Sequence, residues 1–376
     1  MVLLMASEPL QLIPRLTPLP ALLALIGREV KPVTPRSVDL GAAVGRILAA
    51  DIMASMRPSA PLALVDGWAL RAEATLDAGG YAPALLPTVP PKVEVGQPMP
   101  PGTDSVAPLD AVQVENGRAA ALAPVSPGDG VLPAGGDCLP APPLRVAGER
   151  LRGTDLAAFA AAGVTRVPIR QPRLRVVPLR MNSMVGATAR LIAGDIERRG
   201  GVARLDESGD LSVAMVADNF DAFVALGGTG SGRRDTSVTT LARDGKVAVH
   251  GIALTPGETT AFGFSGRRPV LLLPGRLDAA LSAWLTVGRH MLAHLAGADI
   301  AKVDDPAPSL PLARKVTSAV GLAEVVPVRC VGDKVEPMAH NYLPLSALTR
   351  ADGWILVPPE SEGYSAGALV SVWPLP

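Results

Sequence analysis

Glycines are concentrated in one short stretch of the chain, directly after an apolar run. The run at residues 223–226, Phe-Val-Ala-Leu, is typical of a buried strand. Four of the next six residues are glycine, namely Gly227, Gly228, Gly230 and Gly232. Glycine lets a ligand approach the main chain closely, and a strand followed by such a loop and a helix start turns backbone N–H groups towards an anion. The stretch therefore predicts an anion-binding loop, with a helix starting over 236–241.

Asp235 closes this loop near the predicted helix start, where a carboxylate can cap the helix or coordinate a metal. The loop itself is a near miss for two known motifs. The spacing from Gly227 to Gly232 fits the phosphate-binding P-loop, but Arg233 and Arg234 stand where that motif has Lys and Ser/Thr. Arg233 also replaces the third glycine of the dinucleotide fingerprint. A plain turn is therefore the alternative to a ligand site.

Pro-Gly corners are the second feature that could shape a site. Pro256-Gly257 and Pro274-Gly275, the latter followed by Arg276, each follow a predicted strand. We expect these corners to form one rim of a cleft near the glycine loop. Asp66-Gly67, before Trp68, is a further candidate, although Asp-Gly often forms only a hairpin turn.

The spacing of the histidines and cysteines does not favour a metal site. His290 and His294 are four residues apart on a predicted helix, but no acidic residue is interleaved as in zinc proteases, so a solvated helix face is the expectation. Cys138 and Cys330 are far apart and show neither metal spacing nor a disulfide framework. We therefore expect a reducing, cytoplasmic setting.

Composition limits the class of protein. A chain of 376 residues predicts about two to four domains. It contains 38 prolines and 38 glycines, so helices must be interrupted often. The formal net charge is zero, which gives no bulk attraction to nucleic acid or anionic membrane. Neither a signal peptide nor a membrane span is expected at the apolar N-terminus, which has Glu8 and several prolines.

The order of apolar segments predicts where the loops lie. Strands over 174–177, 202–205 and 221–226 alternate with helices over 185–199 and 211–217, which indicates an α/β layer with a parallel sheet. Ligands in such folds gather at the carboxyl ends of the strands, where the glycine loop lies. Helices are also predicted over 19–25, 37–50 and 152–167, with an amphipathic one over 278–295. Short strands over 82–136 and 313–376 predict two small β-domains.

In this order of motifs the chain resembles the MoeA/gephyrin E-domain family, the molybdopterin molybdotransferases, from about residue 19 to the end. Residues 58–71 resemble its stretch ending Met-Asp-Gly-Tyr-Ala-Val-Arg, and 96–104 its Gly-x-Pro-x-Pro-x-Gly-x-Asp segment. Residues 227–235 match Gly-Gly-Val-Ser-Val-Gly-x-x-Asp without a gap. Further matches are Gly135-Gly136-Asp137 with Gly-Glu-Asp, Pro256-Gly257 with Lys-Pro-Gly-Lys, Leu273-Pro274-Gly275 with Leu-Pro-Gly-Asn-Pro, and 362–372 with the closing Gly-x-x-Val strand.

Several residues depart from the family pattern. The acidic Thr-Gly-Asp-Glu segment is Met181-Asn182-Ser183-Met184 here, and the lysines that flank Pro-Gly are Thr255 and Glu258. Arg276 replaces an asparagine. Gly230 and Ala63 stand where the family has serines. Asp206 and Asp210 are the candidates for the family's paired aspartates before the third strand. Arg233, Arg234 and Arg276 could supply the positive charge that the missing lysines leave out. A guanidinium group binds an oxyanion through two N–H donors in a plane, whereas a lysine ammonium group acts as a point charge, so the geometry would differ.

The resemblance implies a set of site residues and ligands. Asp235, Asp66 and Arg276 are expected to be catalytic, and Asp66 and Asp210 to bind Mg²⁺. Molybdate and adenylylated molybdopterin are the implied substrates. Molybdopterin binding is expected from Gly227, Gly228, Thr229, Ser231, Gly232, Asp137, Thr255, Pro256, Gly257, Pro274 and Gly275. The family also implies a homodimer whose cleft includes the partner's β-domain. A molybdoenzyme is a candidate for a further partner.

The expected fold class is multidomain α/β plus β. It comprises a split helix-containing domain (10–50 and 139–170), an inserted β-rich domain (51–138), a MogA-like α/β molybdopterin-binding domain with a parallel-type sheet (171–300) and a C-terminal β-barrel-like domain (301–376). Three functions stay open from the residues. They are molybdate insertion with a rearranged site, molybdopterin or cofactor binding without catalysis as a carrier, sensor or molybdoenzyme partner, and a fold that binds nothing.

Overall fold

A computed structural model describes residues 11–299 and 307–376, and the chain divides into two compact units. The larger unit comprises the described parts of 1–50, 147–157 and 165–376. The smaller unit comprises 51–146 and 158–164. The smaller unit begins at Asp51, where the inserted β-rich domain is predicted to begin. The division into four domains remains a prediction.

A six-stranded sheet forms the centre of the larger unit. Its strands are β1 (Arg173–Pro178), β2 (Val202–Leu205), β3 (Ala222–Leu226), β4 (Lys246–His250), β5 (Ala261–Ser265) and β6 (Arg268–Leu273). Their order across the sheet is β2-β1-β3-β6-β5-β4, and the first four are parallel. β5 and β4 add an antiparallel edge. Leu226 pairs with both Pro178 and Leu273, so β1, β3 and β6 end at one level.

Helices cover both faces of this sheet. They are α1 (Ser183–Arg198), α2 (Leu211–Val216), α3 (Ser237–Asp244), α4 (Leu277–Ala283) and α5 (Arg289–Ala296), with a π-helical turn at Trp284–Gly288 between the last two. Val224 belongs to a core with α1 and α4, whereas Phe223 and Ala225 belong to a core with α2 and α3. Since neighbouring residues of a strand point to opposite faces, β3 is buried along its whole length.

The helix predicted as amphipathic over 278–295 is instead buried nearly all round. In the centre of this region, Trp284 Nε1 and Arg289 Nε donate to Asp195 Oδ2 of α1 at 2.7 and 2.9 Å. Arg289 and Asp195 are only 3% and 2% exposed. Burial alone would raise the pKa of Asp195, but the bonds and charges of Arg289 and Arg199 hold it below its ordinary value. The arginine charge is tolerated here because it is paired.

His290 and His294 do not lie on a solvated face, so that prediction was wrong. Both rings are partly buried, and their Nε2 atoms are 3.2 Å apart. Burial lowers the pKa of each ring, with the neighbouring His294 adding to the effect on His290. His290 also bonds the carbonyl of Leu23 in the helix Leu19–Glu29. These rings therefore pack two helices together.

The N-terminal helix is confirmed and extends to Glu29, but the helix predicted over 37–50 was wrong. That segment forms a strand at Arg36–Asp39, a 3₁₀ turn at Leu40–Ala42 and a short strand at Ile47–Leu48. Gly45 has φ = +75°, which a continuing helix excludes. Both strands pair with Arg166–Arg170, so tertiary pairing outweighs the helical spacing of the apolar residues. The helix predicted over 152–167 covers Gly153–Ala161.

The remaining sheets are antiparallel or mixed. In the larger unit, the strands Ala323–Val331, Lys334–Pro337, Gly353–Val357, Leu369–Pro374 and Ala307–Pro311 form a curled sheet that also includes Ile252–Thr255 and Thr17–Pro18. The smaller unit contains short strands, among them Leu62–Ala63, Gly67–Leu70, Ala84–Leu85, Lys92–Val93, Ser105–Ala107, Val112–Glu115, Arg118–Ala121 and Val131–Leu132. This architecture confirms the expected α/β plus β class. None of the described helices is long and apolar enough to cross a membrane.

Candidate functional site

A cleft of about 410 Å³ lies where β1, β3 and β6 end. Three segments line it: 179–185, which is the loop after β1 with the first turn of α1, the glycine loop (227–235) after β3, and the loop 274–276 after β6. Thr259 completes the lining and shares a hydroxyl hydrogen bond of 2.9 Å with Thr229. Parallel strands place their following loops at one edge of the sheet, which is why these three segments meet.

The glycine loop starts with two left-handed residues. Gly227 and Gly228 have φ = +99° and +73°, which side chains other than glycine rarely adopt. Gly227 N–H donates to Leu273 O at 2.8 Å, which fixes the start of the loop to β6. The hydroxyl of Ser237 is buried beside Gly228 and has no hydrogen-bond partner among residues 11–299 and 307–376. The glycines are thus required for the turn, as the sequence indicated.

The start of α3 does not face a ligand, so that part of the prediction was wrong. Val238 N–H and Thr239 N–H both donate to Oε1 of Gln11, at 2.7 and 3.0 Å. Ser237 N–H donates to Gly228 O at 3.1 Å. The first-turn donors of this helix are therefore occupied by the protein.

Asp235 does not cap α3. Its Oδ2 accepts from Gly232 N–H at 3.0 Å, and its Oδ1 lies 3.6 Å from Arg180 Nη1. Gly230 approaches this carboxylate so closely that a Cβ added there would lie 2.8 Å from Oδ2. Asp235 therefore folds the loop around its own side chain and brings Arg180, which the sequence analysis missed, to the cleft.

Arginine reaches the cleft from two of its loops. Arg276 Nε donates to Asp278 Oδ1 at 3.1 Å, and the hydrogen bond with Asp278 raises the pKa of Arg276. Its side chain is 70% exposed and that of Arg180 is 49% exposed, so both guanidinium groups remain accessible to a ligand. Asn182 also lines the cleft and caps α1 by accepting from Val185 N–H at 2.9 Å. Neither Arg180 nor Asn182 had a signal in the sequence beyond its place after a strand.

The first Pro-Gly corner contributes differently from the second. Pro274 and Gly275 line the cleft, as expected of a rim. Thr255, Pro256 and Gly257 are buried, and the residue of this corner that lines the cleft is Thr259. Glu258, which stands at a family lysine position, accepts from the hydroxyl of Thr255 and from Gly257 N–H.

The other predicted residues are not among those that line this cleft. Ser231 is an exposed residue of the glycine loop, and Asp210 is the N-cap of α2, accepting from Ser212 N–H at 2.8 Å. Asp66 and Asp137 belong to the smaller unit and are exposed. Asp66 accepts from Val95 N–H at 2.8 Å. The roles assigned to these residues remain predictions.

The fold and this cleft define a multidomain protein with an α/β ligand-binding domain, and family models assign the domains. The MoeA N-terminal region (domain I and II) matches residues 17–163, a probable molybdopterin binding domain matches 202–294, and the MoeA C-terminal region (domain IV) matches 309–375. The chain therefore belongs to the MoeA family, as its motifs predicted, and is a divergent member with substitutions at the site.

Known relatives and structures agree with this assignment. A protein of Methanocaldococcus jannaschii named for molybdopterin biosynthesis is 26% identical, over 90% of this chain and 92% of the relative. Molybdopterin molybdenumtransferase 2 of Mycobacterium tuberculosis is 23% identical, over 93% of this chain and 98% of the relative. A molybdopterin biosynthesis MoeA structure from Pyrococcus horikoshii superposes with a TM-score of 0.76 at 22% identity, covering 96% of this chain and all of that one. The structural likeness establishes the fold.

Proposed function

We propose that the cleft binds molybdopterin and that the protein acts in molybdenum cofactor biosynthesis by inserting molybdate into it. The observation that carries this proposal is the meeting of Arg180, Arg276 and the glycine loop in one cleft. Its volume of about 410 Å³ lies in the range of small-molecule sites, about 300–1,000 Å³. Membership of the MoeA family supports the ligand class.

The donors of the cleft suit an oxyanion such as the terminal phosphate of the ligand. A guanidinium group binds a phosphate through two parallel N–H donors, with charge-assisted hydrogen bonds. The backbone N–H groups of Gly228, Thr229 and Gly230 donate to no acceptor within the described residues. They supply neutral donors beside the two cations, in the manner of a backbone nest. The arginines thus replace the family lysines as the source of charge.

Mg²⁺, which the family chemistry implies, does not fit the carboxylates beside the cleft, Asp235 and Glu258. This ion prefers several oxygen ligands in near-octahedral geometry. Asp235 is engaged by Arg180 and Gly232, and the oxygens of Glu258 accept from Thr255 and Gly257. Within 11–299 and 307–376 no three His, Cys, Asp or Glu residues gather as a metal site. The proposed roles of Asp66 and Asp210 as Mg²⁺ ligands therefore rest on the family resemblance alone.

A second candidate function is binding of molybdopterin or the finished cofactor without turnover. The engagement of Asp235 and Glu258 by protein donors favours it, because hydrolysis of the adenylylated substrate requires groups that orient the reacting atoms. A carrier or sensor needs the arginines and the loop but no such groups. The homodimer remains a proposal from the family resemblance, and the cytoplasmic location remains a proposal from the two unpaired cysteines. A molybdoenzyme partner belongs to this second candidate function.

The test is a combined binding and turnover experiment with the full chain. Molybdopterin and adenylylated molybdopterin are each supplied with and without molybdate and Mg²⁺, and bound ligand and released AMP are measured. Molybdate-dependent AMP release supports molybdate insertion. Binding without AMP release identifies the carrier or sensor, and failure of the wild-type chain to bind either form of molybdopterin rejects both functions.

A further inference from the structure

Gln11 connects the glycine loop to the helix that follows it. Its side-chain amide donates through Nε2 to Gly228 O and to Gly230 O, both at 2.9 Å. Its Oε1 accepts from Val238 N–H and Thr239 N–H of α3. Gln11 is only 5% exposed, and its amide makes these four bonds across a sequence separation of more than 200 residues. No motif in the sequence marks this residue.

The two donor bonds fix the orientation of two peptide planes in the loop. In a trans peptide the C=O of one residue and the N–H of the next point in opposite directions. Because the carbonyls of Gly228 and Gly230 point at Gln11, the N–H groups of Thr229 and Ser231 point away from it. Thr229 N–H has no acceptor among the described residues, and neither has Ser231 N–H. Thr229 lines the cleft.

The two acceptor bonds decide which backbone groups are left for a ligand. A helix start normally offers its unpaired N–H groups to an anion. Here Gln11 takes those of Val238 and Thr239, so α3 presents no free first-turn donor at these positions. Within the described residues the glycine loop, in contrast, keeps N–H groups without a protein acceptor at Gly228, Thr229, Gly230 and Ser231. The side chain of Gln11 therefore occupies two N–H donors of α3 and orients N–H donors of the glycine loop.

We propose that Gln11 is the positioning residue of the oxyanion subsite, which it forms by holding the N–H group of Thr229, the loop residue that lines the cleft, turned away from its own side chain. This inference rests on the proposed function, since it names the backbone donors for the phosphate of molybdopterin. It assigns the subsite to the glycine loop and excludes the start of α3. The ligand contact is made by the loop, and Gln11 acts through it.

Two variants of the full chain separate the orientation of the loop from the capping of the helix. Gln11→Glu keeps acceptor oxygens for Val238 N–H and Thr239 N–H but removes the two N–H donors, and it places a carboxylate oxygen against two carbonyls. Gln11→Met keeps the size of the side chain and removes all four bonds. Gln113→Met is the control, because Gln113 is exposed and its amide bonds only Glu115 within the described chain.

Two measurements are made on each variant. Hydrogen exchange of peptides spanning 227–235 in the unliganded chain reports the order of the loop, and calorimetry with molybdopterin reports binding. For Gln11→Glu we expect a lower melting temperature, because a buried carboxylate meets two carbonyl oxygens. We also expect exchange in the loop at least about tenfold faster and affinity about tenfold lower, as for losing one to two hydrogen bonds. Gln11→Met should lose stability as well.

The outcomes separate this inference from the proposed function. Unchanged loop exchange and unchanged affinity in Gln11→Glu would overturn the role of Gln11. Faster exchange with unchanged affinity would overturn the assignment of the subsite to the loop. If the wild-type chain does not bind molybdopterin, the proposed function fails and the subsite with it, while loop exchange in Gln11→Glu still decides whether Gln11 orders the loop.

Discussion

Arg180 and Asp235 form an ion pair at the carboxyl ends of neighbouring strands, with 3.6 Å between Nη1 and Oδ1. Asp235 is the residue that the sequence marked most strongly, and Arg180 is one that it did not mark. Both line the same cleft. The carboxylate therefore positions a cation as well as the glycine loop, and the two roles can be separated by substitution.

Removing either cleft arginine should weaken binding of a phosphate-bearing ligand. A hydrogen bond to a charged group contributes about 1.5–3 kcal/mol, so Arg180→Ala and Arg276→Ala should each lower molybdopterin affinity by about 10- to 100-fold in calorimetry. Arg329→Ala is a matched control, since this partly exposed arginine pairs with Glu336 in the C-terminal sheet. Affinity that is unchanged in both cleft variants would contradict the proposed site.

Asp235→Asn should separate binding from turnover. The amide can still accept from Gly232 N–H but no longer carries the charge that pairs with Arg180. Arg180 is then more available to an anion, so we expect molybdopterin affinity equal to or higher than that of the wild type. If Asp235 is catalytic, molybdate-dependent AMP release should fall at least about 100-fold. Release at the wild-type rate would show that this carboxylate is structural.

Asp195→Asn should destabilise the larger unit strongly. It removes the charge that compensates the buried Arg289, and breaking a buried pair costs about 3–5 kcal/mol. Denaturant unfolding measures the loss, and Asp221→Asn, which affects a more exposed pair with Arg173, should cost less than about 1 kcal/mol. Because the pKa of Asp195 is lowered on folding, its contribution is present above the unfolded pKa of about 4 and is lost as pH falls. Equal losses in the two variants would argue against a compensated buried charge.

The paired histidines should make stability fall on mild acidification. Burial lowers the pKa of His290 and His294, so below about pH 6.5 the unfolded chain binds more protons than the folded one. The free energy of unfolding should therefore fall as pH drops from about 7 to 5. His290→Gln should reduce this slope when denaturant unfolding is followed at several pH values, with His340→Gln as a control. A slope that is the same in all three chains would contradict the prediction.

The family, the fold class and the position of the glycine loop could all be predicted from the amino-acid sequence. These follow from local patterns, because apolar runs such as 222–226 form buried strands and consecutive glycines adopt left-handed backbone that other residues avoid. The order of short motifs along the chain adds to this. The sequence also located Pro274, Gly275 and Arg276, which directly follow β6, and Asp235, which closes the loop after β3. All four line the cleft at the carboxyl edge of the sheet.

Tertiary structure decided which groups meet and which are already satisfied. The helical spacing over 37–50 gave way to pairing with Arg166–Arg170, which lies far along the chain. The start of α3 looked available to an anion, but Gln11 occupies its donors from more than 200 residues away. A hydrogen bond needs only proximity and direction in space, and neither is written in local sequence. Sequence patterns therefore fixed the elements and their loops, whereas packing fixed the partners of each polar group.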